Sequence, residues 1–285
     1  MLKGWFLRFA YLIQAHQDGA QLRALVDRLC PPGAPDRAYV HVDASSPLWR
    51  AQGAAVLPLR PEVQVIARPV AVRWGHASQL AATRLLLRAS LADGFDVAHL
   101  ISAQDWPVAP RAAVAAQIAA SPAGTCWIEA VPGEQSERMT RIRLDSRWLR
   151  PDPRQALAWY ATRALRHASA LVPPRGAGRW GPWCKGSSWW SLPADMCALV
   201  LSGLDRAFAS GQLVGTLCAD EHLIQTIAAH HRPDRLMPPR RHILWDEGIS
   251  SPRILVADDW AGAQAAGAWF ARKLDRARDP FFLEM

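Results

Sequence analysis

The chain has 285 residues, half of them apolar and a fifth charged, which is enough for a sizeable core and excludes a disordered or collagen-like composition. A formal charge of +8 favours phosphate-bearing ligands, polyanions or anionic lipid without choosing among them. Five widely spaced cysteines, with no CxxC and no Cys/His cluster, argue against a disulfide framework or a zinc site and fit a reducing compartment.

Met1 to Arg8 lacks the apolar stretch and cleavage site of a secretory signal, and no apolar run reaches the ~20 residues that span a bilayer. A soluble, cytoplasmic chain is expected, with Trp5, Phe6 and Phe9 beside Lys3 and Arg8 as a peripheral contact for the inner membrane face. Phe9 to Ala15 reads as a buried strand, and Gln17 to Leu29 as a helix with Leu22, Leu25, Val26 and Leu29 at helical spacing, stopped by Pro31-Pro32-Gly33. Strands are predicted at Ala38 to Val42, Val63 to Ala67, Val97 to Ile101 and Trp127 to Ala130, with a long helix over Ala77 to Ala92. This alternation predicts an α/β fold with a mostly parallel sheet covered on both faces. Ligands bind such sheets beyond the carboxyl ends of the strands, where His16, Asp43, the Trp74-Gly75 turn and Gln104 to Pro107 fall.

Further on, Arg138 to Arg154 is rich in arginine, Trp159 to Leu171 reads as a helix, and Arg175 to Lys185 is a Gly/Trp/Arg loop. A helix over Pro193 to Ala209 follows, and Asp220-Glu221 opens another helical segment. With no repeat or low-complexity linker, residues 1–285 read as one domain, with a nucleotide-binding part over about 9–130 and an acceptor and catalytic part over about 131–285.

No P-loop, GxSxG or HExxH occurs. D-x-D is absent too, the spacing with which two aspartates on one strand face share a cation and its diphosphate. Carboxylates at a helix start, such as Asp220 and Glu221, serve as caps or as a base for an acceptor hydroxyl. The cations Arg240, Arg241, Arg253, Arg272 and Lys273 form either a solvated face or a diphosphate site. Fourteen tryptophans offer flat faces for sugar rings, although packing accounts for most of them.

Eleven stretches in chain order carry a resemblance: AYLIQAH (Ala10–His16), QL (Gln21–Leu22), YVHVD (Tyr39–Asp43), WGHASQLAAT (Trp74–Thr83), LISAQDWP (Leu100–Pro107), WIE (Trp127–Glu129), KGSSWWSL (Lys185–Leu192), DEHLIQT (Asp220–Thr226), RHILW (Arg241–Trp245), SPRIL (Ser251–Leu255) and WFARKLD (Trp269–Asp275). In these the chain resembles the core-2/I-branching N-acetylglucosaminyltransferases and peptide O-xylosyltransferases, as a soluble bacterial-type relative without the membrane anchor, stem and luminal cysteines of the animal enzymes.

The resemblance implies a GT-A type α/β/α sandwich and an inverting transfer of GlcNAc or xylose from a UDP-sugar to a glycan, glycolipid or protein, with no metal or other cofactor. It places Asp43 at the nucleoside, with His16 and Trp74 lining the same pocket. Arg241 or Arg253, together with Lys273, takes the metal's place on the diphosphate. Glu221 is the implied base and Asp105 a second carboxylate in reserve. Trp189, Trp190 and Trp245 stand where stacking on a sugar is plausible. The competing reading, a non-catalytic module for acidic polysaccharide or nucleic acid, rests on charge and the Trp/Arg loop. The carboxylates at the strand ends argue against it, and no nucleic-acid partner is expected.

Overall fold

The computed structural model describes residues 7–143, 164–165, 167–176, 180–248 and 251–282. Trp5, Phe6, much of the predicted helix over Trp159 to Leu171 and most of the Arg-rich stretch lie outside the described residues.

The strands in chain order are β1 (Phe9–Ala15), β2 (Arg37–Val42), β3 (Val63–Val65), β4 (Val97–Ser102), β5 (Asp105–Pro107) and β6 (Cys126–Trp127). They continue with β7 (Val131–Pro132), β8 (Cys184–Lys185), β9 (Ser191–Pro193), β10 (Leu236–Met237), β11 (Arg241–Ile243) and β12 (Phe270–Arg272). The central sheet runs β10-β6-β9-β4-β1-β2-β3. It is parallel except at β9, which runs antiparallel to both β4 and β6.

Because successive side chains of a strand face opposite ways, β1 feeds two cores. Phe9, Tyr11 and Ile13 pack with Leu22, Leu25 and Val26 of the helix Gly19–Leu29. Ala10 and Leu12 pack with Leu80, Leu86 and Leu87 of the helix Ser78–Asp93, and this second core extends to Met196, Leu204 and Ile227. Asp18 starts the helix Gly19–Leu29 by accepting the Gln21 N–H at 2.9 Å. Phe9 is buried in its strand, stacked edge-on to His99, so the expected membrane contact through that residue is corrected. Among the described residues no helix is long and apolar enough to cross a membrane.

A second sheet, β11-β12-β5, sets the site. β12 pairs antiparallel with β5, placing Arg272 opposite Asp105, and parallel with β11, placing Ile243 opposite Arg272. Trp269 and Phe270 anchor it in the first core. Gln21 ties it down further, donating to the carbonyls of Ala103 (2.9 Å) and Leu274 (3.2 Å) and accepting the Arg276 N–H (3.0 Å). The expected strand over Trp127 to Ala130 is divided, with Cys126–Trp127 in the central sheet and Val131–Pro132 pairing with β8.

Candidate active site

A cavity of about 1570 Å³ opens beyond the carboxyl ends of β1, β2 and β4. Its lining includes His16, Asp43, Trp74, Trp189, Glu221, Arg241, Trp245 and Lys273, residues already singled out by type and position. A smaller cavity of about 490 Å³, beside the Arg232–Asp195 ion pair, includes none of them.

At one end Asp43 follows β2. Its Oδ1 accepts the Val72 N–H at 3.0 Å and both the N–H and hydroxyl of Ser45 at 2.8 Å, which shapes the rim of the cavity. His41, two residues earlier and on the same strand face, was missed from sequence because it reads as part of a buried strand. Its Nε2 accepts the Val70 N–H at 3.0 Å, and burial pushes its pKa down to about 4, so the ring is neutral. Burial and the Lys273 ammonium lower the His16 pKa, against the opposing pull of Asp43. Trp74, 58 % exposed, stands on the rim, as does Trp245 at 58 %.

Part of the cavity wall is cationic. Arg272 and Lys273 leave β12 side by side and both line it. The Arg272 guanidinium lies 4.1 Å from the Trp189 ring centre and 3.4 Å from Asp105 Oδ1. Burial lowers the pKa of Arg272 while Asp105 opposes the shift; burial and the neighbouring Arg272 lower that of Lys273. The Arg241 fork is spent on the protein, donating to the carbonyls of Pro239 (2.8 Å) and Trp190 (2.9 Å) and to the Ser191 hydroxyl (3.1 Å). Burial brings the Arg241 pKa down to about 9.

Elsewhere on the lining a left-handed residue, Cys218 (φ 50°), starts the turn that holds Asp220 and Glu221. The Cys218 N–H donates to the Gly75 carbonyl at 2.8 Å, joining this turn to the Trp74 rim. The helix expected to open at Asp220 is a 3₁₀ turn, Ala219–Glu221, followed by the α-helix Leu223–His231. Glu221 accepts from Arg138 Nη1 at 2.7 Å through Oε2, a partner the sequence pattern did not single out. Asp220 is 7 % exposed; Oδ2 accepts the Ser188 hydroxyl at 2.7 Å, and Oδ1 is buried with no hydrogen-bond partner. Burial pushes its pKa up to about 6, against the Ser188 bond that draws it down.

Three expectations are corrected. Asp105 is 0 % exposed and does not line the cavity; it accepts the Ser102 N–H at 3.1 Å and faces Arg272, so it is a counter-ion rather than a base at the acceptor. Trp190 is 0 % exposed in the second core and cannot stack on a ligand. Arg253 lies off the cavity lining, its guanidinium held by Asp259 at 2.5 Å and Asp246 at 3.8 Å.

Among the described residues no group of three His, Cys, Asp or Glu is placed to hold a metal ion. All five cysteines are buried and none forms a disulfide. A family model described as Core-2/I-Branching enzyme matches residues 9–261. No curated protein matches the chain.

Proposed function

The chain belongs to the Core-2/I-branching enzyme family, and on that premise we propose that it is an inverting, metal-independent glycosyltransferase. It moves GlcNAc or xylose from a UDP-sugar to a hydroxyl of a glycan, glycolipid or protein. The observation that carries this reading is one cavity lined both by a held carboxylate, Glu221, and by the Arg272–Lys273 pair, with Asp43 on the same lining. Its volume of about 1570 Å³ exceeds the roughly 300–1000 Å³ usual for one small ligand, which suits donor and acceptor bound together.

In this reading Asp43, His16 and Trp74 hold the nucleoside, and Trp189 and Trp245 offer faces to sugar rings. The acceptor oxygen attacks the anomeric carbon as the bond from that carbon to the diphosphate oxygen breaks on the opposite side. Glu221 takes the acceptor's proton, with Arg138 fixing its orientation. Arg272 and Lys273 meet the charge that builds on the departing diphosphate, which favours the transition state over the bound substrate. Arg241 supports the wall through the carbonyl of Trp190 instead of reaching for phosphate.

The test is Glu221→Gln. Turnover falls by about two to four orders of magnitude, while calorimetric affinity for UDP stays near the wild-type value. A variant that keeps more than about a tenth of turnover removes Glu221 from the role of base. Transfer also persists in EDTA; complete loss that Mn²⁺ alone restores would overturn the metal-free mechanism.

A further inference from the structure

In an in-line displacement the transferred sugar lies between the group that takes the acceptor's proton and the cations that receive the diphosphate. Ser188 is the lining residue tied to both of these groups. It lines the cavity, half-buried, and precedes Trp189, whose ring the Arg272 guanidinium covers at 4.1 Å. On its other side its hydroxyl bonds to Asp220, the neighbour of Glu221.

A serine hydroxyl has one proton to give and two lone pairs. Above about pH 6, where Asp220 is ionised, the Ser188 proton is committed to Asp220 Oδ2 at 2.7 Å, so the oxygen can only accept from anything else that approaches. Asp220 holds the hydroxyl through Oδ2 alone, since its remaining oxygen, Oδ1, is buried with no hydrogen-bond partner. The frame around the pair is rigid. Gln225 Nε2 donates to the carbonyls of both Ser187 (2.8 Å) and Asp220 (3.0 Å), and the Gly186 N–H donates to the Glu221 carbonyl (2.9 Å). A fixed acceptor in a held frame selects for a hydrogen-bond donor at one place on the ligand.

We propose that Ser188, oriented by Asp220, accepts a hydrogen bond from a hydroxyl of the transferred sugar and so helps decide which donor sugar the site holds. This rests on the assignment of Glu221 and the Arg272–Lys273 pair above. Asp220 is a positioning residue that acts through Ser188.

The experiment is calorimetric titration of the full chain, as wild type, Ser188→Ala and Ser188→Thr, with UDP, UDP-N-acetylglucosamine and UDP-xylose. The quantity read is the ratio of UDP-sugar affinity to UDP affinity. Ser188→Ala lowers that ratio for the preferred sugar by about three- to tenfold, with UDP affinity within about twofold of wild type. Ser188→Thr, which keeps the hydroxyl, restores most of the ratio. An unchanged ratio in Ser188→Ala overturns the assignment, as does a parallel loss of affinity for UDP and UDP-sugar, which marks a purely structural role. A wild type that binds UDP but gains nothing from either sugar overturns it too. A wild type that binds neither UDP nor UDP-sugar instead brings down the glycosyltransferase reading, and this inference with it.

Discussion

Asp220 makes the ionisation of the site measurable. Its folded pKa of about 6 lies above the ordinary 3.8, so the native state binds this proton more tightly than the unfolded chain does. The resulting stabilisation is fully present below pH 3.8 and is lost as pH rises through about 6; two pKa units correspond to on the order of 3 kcal/mol. Asp220→Asn has no proton to lose, so its stability relative to wild type should improve between pH 4 and pH 8 by up to that amount. Urea melts at the two values check it, and an equal difference at both refutes the burial argument. Single residues were legible where chemistry and position coincided. Asp43 ends an apolar run and Glu221 opens a helical one, and both line the cavity. The pair Trp189-Trp190 was not separable, because neighbours on an extended chain face opposite ways and only the backbone bond from the Leu100 N–H to the Trp190 carbonyl (2.9 Å) decides which one is buried. Arg272 belongs with a run of cations that resembles a solvated face, yet it is buried because its strand places it against Asp105.

The loop before β9 and the turn before the helix Leu223–His231 have to approach closely to bring Ser188 and Glu221 to one wall. Gly186 lets that loop lie against Glu129 while its N–H bonds the Glu221 carbonyl: a Cβ there would stand 1.9 Å from the Glu129 carbonyl oxygen, a distance no side chain tolerates. Gly186→Ala therefore pushes the loop off Glu129 and breaks the bond from its N–H to the Glu221 carbonyl. The expected cost is roughly 1–3 kcal/mol of stability by denaturant unfolding, with a loss of turnover out of proportion to any change in UDP affinity. Wild-type stability in this variant would mean that the close approach is not required. At this scale the long elements were readable. β1, β2, β4 and the helices Ser78–Asp93 and Ala194–Ala209 fall within one or two residues of expectation, since their apolar spacing alone defines them. The three-residue strands β5, β11 and β12 carry Arg, Asp and Pro and have no periodicity long enough to detect. They exist because they pair with one another, and that pairing assembles the cationic wall.

Across the whole molecule, the seven-stranded sheet with a core on each face fits one cooperative unit, and the C-terminal strand is part of that unit rather than an appendage. Trp269, Phe270, Leu274 and Phe282 are all buried, and at roughly 1.5–3 kcal/mol each their burial approaches the ~5–15 kcal/mol that holds a typical domain together. A chain stopped at Ala266 should show no cooperative melting transition by calorimetry and no affinity for UDP. A sharp transition in that fragment would contradict the single-unit reading. Strand β12 lies beyond the residues matched to the family, 9–261, yet it carries Arg272 and leads directly to Lys273, both on the cavity lining. The pairing of β12 with β5 also dictates an order of events during synthesis. Asp105 emerges 167 residues before Arg272 (272 − 105), which at ~5–20 residues per second leaves the β5 edge without its partner for roughly 8–33 s. On the proposed reading, a growing chain in that interval has the Asp43 rim, and gains Glu221 only late in it, but lacks the Arg272–Lys273 pair proposed to receive phosphate. On that reading the ribosome delivers a molecule inert toward nucleotide sugars until β12, the last of the described strands, has been made.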